Sequence, residues 1–165
     1  MDGRAAQLVS LARSAGCTIA AAESCTGGMV SAAVTAVPGA SAVFPGGVVS
    51  YACSAKEQLL GVHPETLRQY TAVSAPVARG MAEGVRALFA ADYGLSVTGY
   101  AGPDGGPGEP VGTVYIGVAS ARGSAVHRHV FSGDRAAVRE AATEAAIAHL
   151  CDAVAAEHPA ASKQA

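Results

Sequence analysis

The sequence predicts a three-layer α/β/α sandwich around a mixed, mostly parallel sheet that contains an antiparallel hairpin. Three observations predict it. Short apolar runs of strand character alternate with helical stretches through the first two-thirds of the chain. Two longer strand-like segments, 112–119 and 125–131, are joined at Arg122-Gly123 by a turn too short for a crossover. The core is built of small residues: 50% of the 165 residues are hydrophobic but only 5% aromatic, so helices and sheet can approach closely.

Residues 3–15 carry Ala6, Leu8, Leu11 and Ala12 on a helical stripe that Gly16 stops. The run 18–23 reads as a buried strand, followed by a glycine-rich turn and a helix over 27–36 that Pro38-Gly39 ends. Residues 48–51 form the second strand, with a short helix over 55–60 closed by Gly61 and another over 64–70. Ser54 reads as the N-cap of the 55–60 helix, with Glu57 completing a capping box. Ser74 caps a stronger helix with Val77, Met81, Val85 and Leu88 on one face, and 95–98 is the third strand. After a loop rich in glycine and proline, 99–110, come the hairpin and a long alanine-rich helix capped by Asp134. The chain is expected to be one domain over 1–157, with 158–165 as a frayed tail.

Composition narrows the function classes. The net charge is -2 with no basic run, which argues against an electrostatic nucleic-acid surface. No apolar stretch is long enough to span a membrane and no signal-peptide pattern opens the chain, so a cytoplasmic protein is expected. Cys17, Cys25, Cys53 and Cys151 lack metal-ligand or redox spacing and read mostly as small core residues. Cys25 is the exception and a second candidate nucleophile, because a thiolate is stabilised at a helix N-terminus. No metal or cofactor is expected.

The chemistry concentrates in Ala22-Glu23-Ser24-Cys25-Thr26-Gly27-Gly28. A hydroxyl in a strand-to-helix turn, among unpaired N–H groups, suits either an anion cradle or a serine nucleophile beside an oxyanion hole. Lysine decides between them. Only Lys56 and Lys163 occur, and Lys56 is placed in the first turn of a helix, where the macrodipole and partial burial both lower its pKa. A serine needs a base, and the histidines offer none. His63 precedes a proline, His127 and His129 share one face of a hairpin strand that reads as solvated, and His149 and His158 fall on or beyond the last helix. Lys56 is therefore the base of a serine–lysine dyad with Ser24, and Tyr51, five residues before Lys56, is within reach of the same pocket. The sheet topology gathers the Ser24 turn, Tyr51 with Lys56, and the 99–113 loop at the carboxyl ends of the strands.

Six motifs carry a family resemblance: residues 22–28, Tyr51 with Ala55-Lys56 and Leu60-Gly61-Val62, Ala72-Val73-Ser74, residues 102–106, residues 110–114, and residues 131–135. In this order they resemble the C-terminal domain of the competence/damage-inducible CinA proteins, the nicotinamide-nucleotide amidase family, in its stand-alone form. The resemblance implies deamidation of nicotinamide mononucleotide in pyridine-nucleotide salvage, with Ser24 as nucleophile, Lys56 as general base and Tyr51 as an assisting phenol that relays the proton. It implies a small-molecule nucleotide as partner and a homo-oligomeric assembly. Backbone N–H groups from Thr26 to Gly28, next to Cys25, are expected to hold the oxyanion. The phosphate is expected on Arg135, on Thr113 or on the loop that holds Gly102, Pro103 and Asp104. Arg135 reads equally as a surface arginine, and the glycines equally as turn residues. Glu23 either orients Lys56 or caps the turn. The chain departs from commoner family versions after Tyr51, where Ala52-Cys53-Ser54 stands in place of a Ser-Asn pair and a variable residue.

Overall fold

The described residues of the computed structural model are 2–161. They form α1 (Asp2–Ala15), β1 (Ile19–Glu23), α2 (Met29–Thr35), β2 (Gly46–Val49), α3 (Cys53–Leu60), α4 (Pro64–Tyr70), α5 (Ala75–Leu88), β3 (Tyr93–Gly99), β4 (Thr113–Ser120), β5 (Gly123–Val130) and α6 (Arg135–Glu157). The five strands make one sheet in the order β2-β1-β3-β4-β5. β1 is parallel to β2 and β3, β4 is antiparallel to β3, and β5 is antiparallel to β4.

Alternation along the strands divides the core into two layers. Ile19, Ala21, Leu95, Val97, Val114 and Ile116 face α1, α2 and α6, whereas Ala20 and Ala22 face Val77, Met81 and Val85 of α5 and Leu60 of α3. The expected three-layer sandwich is therefore present. Small residues govern its spacing. A Cβ on Gly94 of β3 would lie 2.0 Å from the Ala82 carbonyl oxygen of α5, and one on Gly84 of α5 would lie 1.9 Å from the Leu60 carbonyl oxygen of α3. These two absences of a side chain let α5 lie on the sheet and α3 lie on α5.

The helix caps at Ser74 and Asp134 are formed as expected, with Ser74 Oγ accepting from the Val77 N–H and Asp134 Oδ1 from the Ala137 N–H at 2.9 Å. Two local expectations are corrected. The second strand ends at Val49, not residue 51, because the carbonyls of Ser50 and Tyr51 turn out of the ladder to a side chain described below. Helix α3 begins at Cys53, since the N–H groups of Ala55 and Lys56 both close on the Ala52 carbonyl. Ser54 is thus inside the helix, the capping box is absent, and Lys56 is the fourth helical residue. The N-cap is Ala52, in extended conformation and without a side-chain acceptor. Beyond α6, the His158 N–H donates to the Val154 carbonyl and Ala161 is buried, so the first residues of the expected tail continue the packed chain. Residues 162–165 lie outside the described residues.

The face of β5 expected to be solvated is corrected as well. His149 of α6 stacks on His127 at 3.7 Å, and its Nε2 lies 2.8 Å from Nε2 of His129. The imidazoles tie the hairpin to α6. Burial pushes His149 down to about 4, helped by His127 and His129 and opposed by Asp152. Below the ordinary imidazole value of about 6.5 the unfolded chain binds a proton that folded His149 refuses, so this group withdraws stability as pH falls.

Two predictions follow from these contacts. Ala52→Ser supplies the missing cap and raises the unfolding free energy by about 1 kcal/mol in chemical denaturation; no change would show that the α3 terminus does not limit stability. Wild-type melting temperature falls as the pH is lowered from about 6.5 towards about 4, and His149→Gln makes that fall shallower; parallel profiles would remove His149 from the acid response.

Candidate active site

The carboxyl ends of β1, β2 and β3 open onto a cleft of about 260 Å3 lined by Ser24, Cys25, Tyr51, Lys56, Thr98, Tyr100, Gly102, Asp104 and Arg135, among others. β1 delivers Ser24 to its floor, because the Ser24 N–H continues the parallel ladder to the Val97 carbonyl at 2.9 Å. Glu23, one residue earlier, is 1% exposed and builds the turn that follows. Its carboxylate accepts from Thr26 Oγ1 (2.7 Å), from the N–H groups of Gly28, Val30 and Ser31, and from Ser31 Oγ. Those five bonds cap α2 in place of its own N-cap residue, which is Gly28. Glu23 thus serves the turn and makes no hydrogen bond to Lys56.

Lys56 is 1% exposed, a rare state for a lysine. Its Nζ lies 3.0 Å from Ser24 Oγ, 2.5 Å from the Ser50 carbonyl oxygen and 3.2 Å from that of Tyr51. Among the described residues it pairs with no carboxylate, and Glu57 is exposed. Burial lowers its pKa from the ordinary lysine value, while the neighbouring Cys53 and Cys25 thiols act weakly in the other direction. Burial, one of the two causes expected from the sequence, is the largest.

Tyr51 also lines the cleft, but its side chain is exposed to solvent and its phenol accepts from Arg135 Nη2 at 3.1 Å. The phenol makes no hydrogen bond to Ser24 or Lys56. Lys56 meets Ser24 directly, and what Tyr51 gives the lysine is its backbone carbonyl. Arg135 Nη1 donates to the Gly102 carbonyl at 2.6 Å, so this arginine is built into the cleft wall between Tyr51 and the 99–112 loop. Asp104 is exposed and also lines the cleft.

Other expected site residues fall elsewhere. Thr113 is fully buried, with its hydroxyl bonded to the Pro110 carbonyl at 2.7 Å, so it folds the loop and does not reach the cleft. Pro103 is exposed next to Gly102 and is not among the lining residues. The Gly27 N–H donates to the Ser24 carbonyl and the Gly28 N–H to Glu23, so neither is available to an oxyanion. The N–H groups of Cys25 and Thr26 have no acceptor among the described residues. Cys25 is buried, and burial pushes its thiol up to about 11, against the smaller opposing effects of its own backbone, Arg139 and Lys56. The thiolate expected at the helix end is therefore not favoured. Among the described residues no group of three or more His, Cys, Asp and Glu side chains is arranged to hold a metal ion.

One residue was not anticipated. Arg139 of α6 donates from Nε to the Cys25 carbonyl at 3.0 Å and from Nη2 to the Thr26 carbonyl at 3.1 Å. Its spacing of four from Arg135 puts both guanidinium groups on one face of α6, the only signal the sequence carries.

A profile of the CinA C-terminal domain matches residues 2–154. The chain belongs to the CinA C-terminal domain family. Within this family it is 50% identical to the nicotinamide-nucleotide amidohydrolase PncC of Escherichia coli (strain K12) over 137 residues, covering 82% of this chain and 83% of that protein. It is 54% identical to a CinA-like protein of Anaeromyxobacter sp. (strain K) over 129 residues, but spans only 32% of that protein's length. The chain thus corresponds to about a third of several longer CinA relatives and to most of the shorter one. The crystal structure of the competence or damage-inducible protein from Enterobacter asburiae superposes with a TM-score of 0.88 at 36% identity, covering 92% of this chain and 96% of that one. The α/β architecture is therefore that of the CinA superfamily, and no helix among the described residues is long and apolar enough to cross a membrane.

Thiol chemistry separates the two nucleophile candidates in this CinA domain. Iodoacetamide near neutral pH is expected to modify exposed Cys53 and leave Cys25 unmodified in the native protein, as read by peptide mapping. Rapid alkylation of Cys25 would show that its thiol ionises readily and would return it as a nucleophile.

Proposed function

We propose that this chain is an amidohydrolase that deamidates nicotinamide mononucleotide to nicotinate mononucleotide and ammonia, with Ser24 as nucleophile and Lys56 as general base. One observation carries the reading: a buried amine within hydrogen-bonding distance of a serine hydroxyl, with its other two contacts made to carbonyl oxygens. Carbonyl oxygens only accept. A neutral amine has two N–H donors and one lone pair, so the Ser50 and Tyr51 carbonyls take both donors and leave the lone pair for the Ser24 hydroxyl. The relationship to the E. coli amidohydrolase supports the choice of substrate.

The chemistry then proceeds in two halves. Lys56 takes the Ser24 proton as Oγ attacks the carboxamide carbon, and the tetrahedral oxyanion forms. Protonated Lys56 gives its proton to the departing nitrogen, and ammonia leaves a nicotinoyl ester on Ser24. Water, deprotonated by Lys56, attacks that ester; the nicotinate nucleotide leaves and Ser24 regains its proton. Arg135 is the guanidinium in the cleft wall and serves the substrate phosphate, while Asp104 faces the cationic pyridinium ring. This activity belongs to pyridine-nucleotide salvage.

Purified protein is expected to release ammonia from nicotinamide mononucleotide, and Ser24→Ala and Lys56→Met to lower kcat by about 10⁴-fold or more. Because burial lowers the Lys56 pKa and the base must be neutral, kcat/KM rises with pH through that lowered value and then levels. Folded wild-type protein that releases no ammonia, or a Ser24→Ala variant that still does, would overturn the assignment.

A further inference from the structure

The turn that carries the nucleophile leaves little freedom in the choice of oxyanion donors. The Ser24 N–H is held by Val97, the Gly27 N–H by the Ser24 carbonyl, the Met29 N–H by the Thr26 carbonyl, and the N–H groups of Gly28, Val30 and Ser31 by Glu23. What remains beside Ser24 is the pair Cys25 N–H and Thr26 N–H. Each belongs to a peptide unit whose carbonyl is already anchored. The Ser24–Cys25 unit is anchored by Gly27 donating to the Ser24 oxygen, and the Cys25–Thr26 unit by Arg139 Nε donating to the Cys25 oxygen at 3.0 Å.

In a planar trans peptide the C=O and N–H point in opposite directions. Arg139 pulls the Cys25 carbonyl towards α6, so the Thr26 N–H is turned away from α6. Ser24 and Cys25 line the cleft, whereas Thr26, at 0% exposure, and Arg139 do not, so the clamp acts from beneath the surface that Ser24 and Cys25 present. A cation on the carbonyl also draws electron density from its own N–H and strengthens it as a donor. The second bond, from Arg139 Nη2 to the Thr26 carbonyl at 3.1 Å, stops the next peptide unit from rotating.

We propose that Arg139 is a positioning residue for the amidase reaction: clamped on the Cys25 and Thr26 carbonyls, its guanidinium orients and polarises the Thr26 N–H, which with the Cys25 N–H forms the oxyanion hole. The proposal rests on the reading of Ser24 as nucleophile. Arg139 touches neither substrate nor the reacting atoms. Its effect falls on the tetrahedral state, where charge develops on oxygen, and leaves ground-state binding alone.

The test compares wild type with Arg139→Met and Arg139→Lys by steady-state kinetics on nicotinamide mononucleotide and by the rate at which a fluorophosphonate labels Ser24, read by mass spectrometry. In the labelling step the Ser24 Oγ–P bond forms and the P–F bond breaks, fluoride leaves, and Lys56 takes the hydroxyl proton, so the rate reports the oxyanion hole without any amide substrate. Arg139→Met is expected to lower kcat about tenfold or more with KM little changed, and to slow labelling by a similar factor, since loss of an oxyanion donor outright costs about 10²–10³-fold. Arg139→Lys, which keeps one charged donor, is expected to recover part of both rates. A folded Arg139→Met protein with wild-type kcat and labelling rate would overturn the proposal, as would a loss confined to KM. Should Arg139→Met fail to fold, Arg139→Lys decides on the same two rates: reduced kcat and labelling at constant KM support the proposal, and wild-type values of both reject it. If wild type is labelled at Ser24 in an Arg139-dependent manner yet releases no ammonia, the substrate assignment fails and the role of Arg139 stands. If wild type is neither labelled nor active, the nucleophile reading falls and the proposal falls with it.

Discussion

The structure depends on an amine held away from water against a hydroxyl. Placing a lysine side chain at 1% exposure with no carboxylate among the described residues to pair with it is costly for the charged form and much less so for the neutral one. The protein offsets that cost with the two carbonyls of Ser50 and Tyr51, which leave the β2 ladder to receive it. Helix α3 must therefore lie close over the strand ends, and it does so because Gly84 lets the last turn of α3 press on α5. A side chain at Gly84 would lift α3 and carry Lys56 away from Ser24. A packing detail on one face of the sheet is in this way linked to the protonation state of the base.

The Ser24 turn is fixed from two sides by groups of opposite charge. Glu23 holds the N-terminal end of α2 through five hydrogen bonds, and Arg139 reaches across from α6 to two carbonyls of the same turn. Backbone donors aimed at a developing charge act strongly only if they cannot reorient. Both clamps are side chains whose own elements are anchored in the core, Glu23 by the interior strand β1 and Arg139 by a helix packed along α1 and α2.

Much of this was legible in the sequence, for local reasons. The β1–turn–α2 unit, the caps at Ser74 and Asp134, the hairpin and the long last helix each follow from nearest-neighbour chemistry, and the pairing of Ser24 with Lys56 followed from the scarcity of lysine and from topology. The misreadings are of two kinds, local competition for a cap or a turn and contacts far apart in the chain. Ser54 matched a capping box, but Ala52 sits where the chain leaves β2 and so starts α3 earlier. Thr113 matched a family motif while its hydroxyl was needed to close the 110–113 turn. His127 and His129 alternate as a solvated face would, yet His149 lies twenty residues further along, on a helix that returns to cover them. Arg139 acts on residues more than a hundred positions away and left only its spacing from Arg135 as a trace.

The central claim, a neutral Lys56 poised on Ser24, can be measured without substrate. The chain contains two lysines, Lys56 and Lys163, so protein labelled with 13C and 15N lysine gives two side-chain titrations by NMR, assigned with Lys56→Met. The account predicts that the Lys56 signal titrates clearly below the ordinary lysine value of about 10.4 and that Ser24→Ala alters its titration. A Lys56 signal that titrates at or above that ordinary value, indifferent to Ser24, would contradict it.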